Sequence, residues 1–133
     1  MKESPEERSR VMRAVKGSDT APEMTVRRLA HRMGYRFRLH RSDLPGKPDM
    51  VFPGCRKIIF VHGCFWHGHS CRRGNRIPKG NRDYWLKKIA RNRERDQAAA
   101  IALTTLGWKI VVFWECETRD ENGLKKRLSA FLD

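Results

Sequence analysis

The chain has 133 residues, enough for one domain with a single modest core. Lys+Arg number 29 against 15 Asp+Glu, and the formal charge of +14 indicates a polyanionic partner; four tryptophans and six phenylalanines favour nucleic acid over a membrane surface. No apolar run approaches the ~20 residues of a membrane span, and the charged N-terminus lacks the apolar core of a signal peptide. We therefore expect a cytoplasmic protein with no membrane partner.

The first predicted element is a short basic helix over residues 6–16, which carries Val11, Met12 and Val15. At this charge density we expect residues 1–19 to contact DNA. The alternative is a helix that only packs against the domain.

A second helix is predicted to begin at Thr20, the N-cap, with Pro22 in its first turn and Glu23 completing a capping box. Gly34 supplies its C-terminal stop. One apolar face recurs at helical spacing: Val26, Leu29, Ala30 and Met33.

Two strand patterns follow. Apolar and basic residues alternate over residues 35–40, which predicts a half-exposed strand with Tyr35, Phe37 and Leu39 inside and Arg36, Arg38 and His40 outside. After a turn at residues 45–48, the runs 49–52 and 57–61 flank a Pro-Gly pair and predict a β-hairpin. Residues 72–82 are rich in Arg, Gly and Asn and predict an exposed loop.

The last third of the chain predicts helix, strand and helix. A long helix is expected from Asp83, as its N-cap, to just before Gly107, with one stripe interrupted by charge: Leu86, Ile89, Arg93, Asp96, Ala100 and Leu103. Residues 109–114 predict a central strand covered on both faces. Four apolar residues mark a closing amphipathic helix: Leu124, Leu128, Phe131 and Leu132. The order indicates an α/β fold with a mixed sheet between helices.

Residues 58–71 concentrate soft metal donors in one segment that opens as a buried strand. Cys64, His69 and Cys71 supply three donors within eight residues, and zinc takes four. Cys116 is the best-placed fourth ligand and Cys55 is the competitor. Four protein ligands would make a structural site, and an open position a catalytic one. Unrelated core cysteines are the alternative.

Two histidines and one aspartate remain as candidates for chemistry. His62 and His67 are left outside the zinc shell and are candidates for proton transfer, unless one only packs or binds phosphate. The predicted hairpin places Asp49 across from Val61 and His62, where a carboxylate and a backbone carbonyl can hold Mg²⁺. The alternative is that Asp49 is a turn residue.

Motifs from about residue 9 to residue 116 resemble, in order, those of the Vsr endonucleases of very short patch repair. They are Met12-Arg-Ala, Asp19-Thr20, Leu44-Pro-Gly-x-Pro-Asp49, Phe60-x-His-Gly-Cys-Phe-Trp-His67, Trp85-Leu-x-Lys-Ile89, Glu94-Arg-Asp96, and Gly107-Trp through Trp114-Glu-Cys116. The resemblance implies one endonuclease domain over residues 1–133, with a restriction-endonuclease-like fold and a structural zinc. It implies nicking of one strand of duplex DNA on the 5′ side of the thymine of a T·G mismatch, which arises when 5-methylcytosine deaminates.

The resemblance also implies roles for individual residues. The catalytic aspartate falls on Asp49, the proton-transfer histidine on His67 and the second active-site histidine on His62. Supporting acids fall on Glu23 and Asp96. The zinc ligands fall on Cys64, His69, Cys71 and Cys116, and the intercalating side chains on Met12, Phe65 and Trp66. We expect Mg²⁺ to be held by Asp49 and the carbonyl of Val61.

Three departures from the family pattern stand out. Val61 replaces a threonine of the type member, Gly68 replaces a histidine, and no lysine follows the second acid, so that His67 must cover its role. Glu23 keeps its capping-box reading as an alternative. We expect a monomer that acts on duplex DNA with a T·G mismatch, with mismatch-repair proteins as candidate partners. The alternatives are a restriction enzyme that cuts both strands and a non-catalytic, zinc-stabilised DNA-binding module.

Overall fold

The computed structural model describes residues 20–65, 67, 69, 71 and 79–133. The predicted basic helix over residues 6–16, with Met12, lies outside this part of the chain, as does Trp66. The described elements are, in order, α1 (Ala21–Arg32), β1 (Arg38–Leu39), β2 (Met50–Phe52), β3 (Lys57–His62), α2 (Arg82–Thr105), β4 (Lys109–Trp114), the 3₁₀ turn η1 (Glu115–Arg119) and α3 (Glu121–Leu132). From the second predicted helix onward, the predicted element order is confirmed. No described helix is long and apolar enough to cross a membrane.

Helix α1 begins and ends where its sequence predicts. The Glu23 N–H donates to Thr20 Oγ1 at 3.4 Å, and the Thr20 N–H donates to Glu23 Oε2 at 3.3 Å, so both halves of the capping box are present. At the other end Gly34 has a φ of 95°, and the N–H of Tyr35 donates to the carbonyl of Ala30 at 3.1 Å. The cap therefore fixes where the Glu23 side chain lies.

The four strands form one mixed sheet in the order β1-β2-β3-β4. The first three are antiparallel, which confirms the hairpin, and β4 runs parallel to β3 after the crossover through α2. Residues 109–114 were expected to form a central strand, but among the described strands β4 lies at the edge and pairs only with β3. Within it only Phe113 is buried, so a continuous apolar run did not indicate full coverage here.

Helices cover both faces of the sheet, as expected. One layer joins α1 and α3 to one face: Val26, Leu29, Ala30, Met50, Phe52, Ile59, Phe113, Leu124 and Leu128. The opposite layer joins α2 to the other face: Val51, Ile58, Phe60, Leu103 and Trp108. Alternate residues of β2 and β3 therefore pack into opposite layers, and both faces of the sheet are covered.

Two predictions for α2 are wrong. The helix begins at Arg82 after Asn81, which has a φ of 57° and makes no side-chain cap, so Asp83 lies in the first turn and is not the N-cap. Leu86 is 40% exposed and Arg93 is exposed. The inward-facing positions instead follow steps of three and four from one buried residue: Ile89, Asn92, Asp96, Ala99 and Leu103. Asp96 lies on both the predicted and the observed stripe, and it is half-buried.

Strand β1 is shorter than predicted and ends in a reversal. Leu39 is 41% exposed, although it was expected inside, and His40, expected outside, has a φ of 46° and turns its side chain toward Glu23. A left-handed residue interrupts the alternation of a strand, which explains both errors.

The turn that precedes Asp49 is pressed against α2. Gly46 has a φ of 76°, and a Cβ at this position would lie 2.7 Å from the Cβ of Ala99. Only glycine permits both the backbone conformation and the close approach. The start of β2 is therefore held close to the middle of α2.

Candidate active site and metal centre

Asp49 and Val61 meet where β2 begins and β3 ends. The Val61 N–H donates to Asp49 Oδ2 at 2.7 Å. Burial raises the pKa of the Asp49 carboxyl to about 6; the bond from Val61 opposes this rise and the charge of Glu23 adds to it. A carboxylate in such an environment gains from any cation that approaches it.

The carbonyl of Val61 lacks its usual partner on β2. Met50 pairs with Ile59, so the residue opposite Val61 is Pro48. The Val61 N–H points to the β2 side, and in an antiparallel pair the carbonyl of the same residue points the same way. Proline has no N–H to donate to it. The Val61 carbonyl and the Asp49 carboxylate thus offer neighbouring oxygens, which fit a hard divalent cation.

Glu23 joins Asp49 in a second group of candidate ligands. One ligand atom each from Glu23, His40 and Asp49 lies within 4.8 Å of the others. Glu23 is 2% exposed, accepts a bond from Arg27 at 3.1 Å through Oε1 and contacts His40 Nε2 through the same oxygen. Its capping role and its place beside Asp49 coexist.

His62 and His67 lie side by side next to Asp96 of α2. Their rings stack with centroids 3.9 Å apart, and His67 Nδ1 lies 2.5 Å from Asp96 Oδ2. Burial lowers the pKa of His62 to about 4, helped by His67 and opposed by Asp96. His62 is therefore neutral near neutral pH, and the contact with Asp96 engages Nδ1 of His67 and not Nε2.

The predicted zinc ligands come together. One ligand atom each from Cys64, His69, Cys71 and Cys116 lies within 4.8 Å of the others, whereas Cys55 is exposed in the hairpin turn. The structure therefore places Cys116, and not Cys55, beside these donors. Burial raises the pKa of the Cys64 thiol to about 12 and also raises the pKa of Cys116. Three sulfurs and one imidazole suit a soft or borderline cation such as zinc, which stabilises thiolates that burial alone disfavours.

Trp114 connects the cysteine cluster to the histidine pair. Its ring stacks on His69 with centroids 4.2 Å apart and meets the ring of His62 edge-on at 5.3 Å. From the sequence Trp114 was named only as part of the motif that ends in Glu115 and Cys116, and no role was predicted for its ring.

Glu23, Asp49, His62 and His67 line a cleft of about 1250 Å³, and α2, which contributes Asp96, forms a wall of it. That wall carries Lys87, Arg91 and Arg95, spaced by four residues and so on one side of the helix. At the first turn of α2, the ring of Phe65 meets the ring of Trp85 edge-on, with centroids 5.5 Å apart. Phe65 is half-buried and belongs to neither core layer of the described residues.

Several residues in and beside the cleft were not predicted from the sequence. His40 and the three cations of α2 were not singled out, because the strand alternation placed His40 outside and the charge of α2 was distributed all around the helix. A step of four between the cations is the one signal that could have found them.

A basic α/β domain whose cleft combines carboxylates, imidazoles and a row of cations is built as an enzyme that acts on a nucleic-acid backbone. The comparison with known proteins agrees. A family model described as DNA mismatch endonuclease Vsr matches residues 2–73. The chain belongs to this family, and it is a DNA endonuclease.

Similar proteins cover most of the chain. The type II nicking enzyme V.XorIIP of Xanthomonas oryzae pv. oryzae is 54% identical over 98% of this chain and 95% of its own length. The type II nicking enzyme V.NmeAIP of Neisseria meningitidis is 42% identical over 92% of this chain and 86% of its own. The DNA mismatch endonuclease Vsr of Escherichia coli is 41% identical over 88% of this chain and 74% of its own.

Proposed function

We propose that this protein nicks one strand of duplex DNA beside the thymine of a T·G mismatch, with Mg²⁺ as its catalytic cation and zinc as a structural one. The observation that carries the proposal is the meeting of Asp49, the Val61 carbonyl and the His67–Asp96 pair in one cleft. The mixed sheet with acids at its strand ends supports a restriction-endonuclease-like fold. Family membership and the names of the nicking relatives support cleavage of one strand.

The residues divide the work of phosphodiester hydrolysis. Asp49 and the Val61 carbonyl would hold Mg²⁺, which supplies Lewis-acid stabilisation of charge on the phosphate. His67, oriented by Asp96, moves the proton of the attacking water or of the departing oxygen. His62, neutral and stacked on His67, holds that ring in place and excludes water from one face. Glu23 supports Asp49 from the start of α1.

We expect His67→Ala to reduce the nicking rate by about 10²–10⁴-fold, the usual contribution of general acid–base catalysis. Asp96→Asn should also lower the rate, because an amide can donate to His67 Nδ1, which favours the wrong tautomer of the ring, and cannot stabilise a positive charge on it. The measurement is single-turnover cleavage with both variants bound to saturation. Wild-type rates in both would contradict the assignment, and Glu94→Gln on the exposed side of α2 is the control.

Binding should depend steeply on salt, because the basic wall of α2 faces the cleft. From Lys87 to Arg95 the helix rises about 12 Å, the axial span of three to four nucleotides of one strand. Each phosphate contact adds about 0.9 to the slope of log K against log salt. Lys87→Gln, Arg91→Gln and Arg95→Gln should each lower the slope by about that amount.

The matched control for this series is Arg93→Gln, on the same helix but exposed and outside the cleft. Equal slopes for Arg93→Gln and Arg91→Gln would remove α2 from the binding surface. A flat affinity of the wild-type protein between low and physiological salt would contradict DNA binding altogether.

The mismatch would be recognised by wedging aromatic rings into the base stack. Unstacking costs less where pairing is weak, so insertion favours T·G over a matched pair. Phe65, half-buried against Trp85 at the end of the cleft, supports this role, and Trp66 and Met12 remain predictions from the sequence. Phe65→Ala should narrow the ratio of T·G to matched cleavage by about 5- to 100-fold with little change in Tm. A large drop in Tm with intact discrimination would make Phe65 a core residue instead.

One experiment tests the function directly. Matched and mismatched duplexes, labelled on one strand at a time, are incubated with the protein with and without Mg²⁺. We expect a nick in the thymine strand of the T·G duplex only when Mg²⁺ is present. Cleavage of both strands of a matched duplex would indicate a restriction enzyme, and binding without cleavage under all conditions a DNA-binding module.

A further inference from the structure

His40 contacts both Glu23, which is buried, and Asp49, which is half-buried, and the proposed mechanism gives it no role. Its backbone N–H donates to the carbonyl of Asp49 at 3.4 Å, and its Nε2 contacts Oε1 of Glu23. It does so with a φ of 46°. A left-handed backbone is uncommon for a side chain with a Cβ, and such strain persists only where the surroundings impose it.

The contact between His40 and Glu23 lies where two carboxylates repel one another. The Glu23 side chain is 3% exposed and one of its oxygens lies within 4.8 Å of a carboxylate oxygen of Asp49, so the two acids repel one another in a poorly solvated site. Arg27 donates to Glu23 Oε1 at 3.1 Å from within α1. With Nε2 protonated, His40 adds a second donor to the same oxygen from the end of β1.

Two donors on one oxygen also fix the direction of the carboxylate. The Thr20 N–H holds Oε2 at 3.3 Å, so the orientation of the Glu23 carboxylate is set from α1 by two groups and from β1 by His40. Of these three residues, His40 also places a ring nitrogen within 4.8 Å of a carboxylate oxygen of Asp49. Removing the ring would take away the group that lies close to both carboxylates and would leave Glu23 free to move relative to Asp49.

We propose that His40 is a positioning residue for the catalytic cation: it holds the Glu23 carboxylate in a fixed orientation beside Asp49 and thereby sets the affinity for the divalent ion. This inference rests on the cation site proposed at Asp49 and Val61. His40 acts through Glu23 and not on the DNA. Residues that orient ligands in this way change metal affinity or activity by about 10–100-fold when they are removed.

The test measures cation binding apart from catalysis. Mn²⁺ binding to the zinc-loaded, DNA-free protein is followed by electron paramagnetic resonance, together with the Mg²⁺ concentration for half-maximal nicking and the KM for DNA. His40→Ala should weaken cation binding about 10–100-fold and leave the KM for DNA unchanged. His40→Gln should recover most of the affinity, because its amide can donate to Glu23. His31→Ala, on the exposed last turn of α1, is the control.

A double-mutant cycle with Glu23→Gln identifies the route. If His40 acts through Glu23, adding His40→Ala to Glu23→Gln should weaken Mn²⁺ binding no further. Additive losses would show an independent role and overturn the proposal, as would wild-type Mn²⁺ affinity in His40→Ala. Asp49→Asn is measured in parallel. If Asp49→Asn leaves Mn²⁺ binding unchanged, the proposed cation site is wrong. If Asp49→Asn loses Mn²⁺ binding while His40→Ala binds normally, only the role of His40 is overturned.

Discussion

Asp49→Asn should abolish nicking while leaving mismatch binding nearly intact. The substitution removes the charged oxygen that we propose as a ligand of the cation, and it keeps the volume of the side chain. Lewis-acid stabilisation of the transferring phosphate contributes several kcal/mol, so the rate should fall by about 10³-fold or more. Single-turnover cleavage of a T·G duplex at saturating protein measures the loss, and a gel-shift measures binding.

In the absence of Mg²⁺, Asp49→Asn should raise the free energy of unfolding of the protein. Burial raises the pKa of the Asp49 carboxyl from 3.8 to about 6, so the folded protein holds this proton more tightly than the unfolded chain does. The ionised side chain then lowers the free energy of unfolding above pH 6, and the loss shrinks as pH falls toward 4. With 1.36 kcal/mol per pKa unit and a discount for partial exposure, the loss is about 2 kcal/mol.

An asparagine at this position carries no charge and can still accept the bond from the Val61 N–H. With zinc bound and Mg²⁺ absent, the Tm of Asp49→Asn should exceed that of the wild type by roughly 5 °C at pH 8, and the gain should shrink from pH 7 to pH 5. Asp43→Asn is the matched control, since Asp43 is exposed and paired with Arg41 outside the cleft. An inactive Asp49→Asn with a lower Tm at every pH would mean that the aspartate is structural.

The parts of the site that could be predicted are those set by short stretches of chain. Thr20 and Glu23 form a capping box because they are three positions apart. A Pro-Gly turn between two apolar runs forms the hairpin; Asp49 lies across from Phe60, one residue before the predicted Val61, and reaches the Val61 N–H through its side chain. Three of the four soft donors lie within eight residues, so their convergence required only that the loop close on itself. The fourth, Cys116, follows from the parallel pairing of His62 with Trp114.

The parts that could not be predicted depend on one backbone angle or on a small rotation. The side chain of His40 turns toward Glu23 because its φ is positive, and an alternation of apolar and polar residues does not reveal such a reversal of the backbone. The inward-facing stripe of α2 contains Asn92 and Ala99 where Arg93 and Ala100 were predicted, so Arg93 faces solvent. Over 24 residues, steps of three and four can be ordered in several ways, and only packing against the sheet selects one.

Removal of one ligand of the cysteine cluster should prevent folding. We expect the purified protein to hold one zinc ion, and Cys116→Ser or Cys71→Ser to lose it and to unfold or aggregate. Structural zinc contributes about 10–16 kcal/mol in small domains, as much as the whole stability of a typical domain, about 5–15 kcal/mol. The cluster brings together the loop after β3 and the turn after β4, beyond the last paired residues of the sheet. Among the described residues, no backbone pairing between the two strands continues there to hold these segments together if the metal is lost.

Cys55→Ser is the matched control, because the exposed thiol of Cys55 lies in the hairpin turn and outside the cluster. It should keep both the zinc and the Tm of the wild type. Zinc content by metal analysis and Tm by circular dichroism distinguish the outcomes, and a chelator added to the wild type should reproduce the Cys116→Ser result. Loss of zinc from Cys55→Ser with Cys116→Ser unaffected would overturn the choice of ligands. A metal-free protein that melts cooperatively at the wild-type temperature would mean that zinc is not what holds the loop after β3 beside His62 and His67.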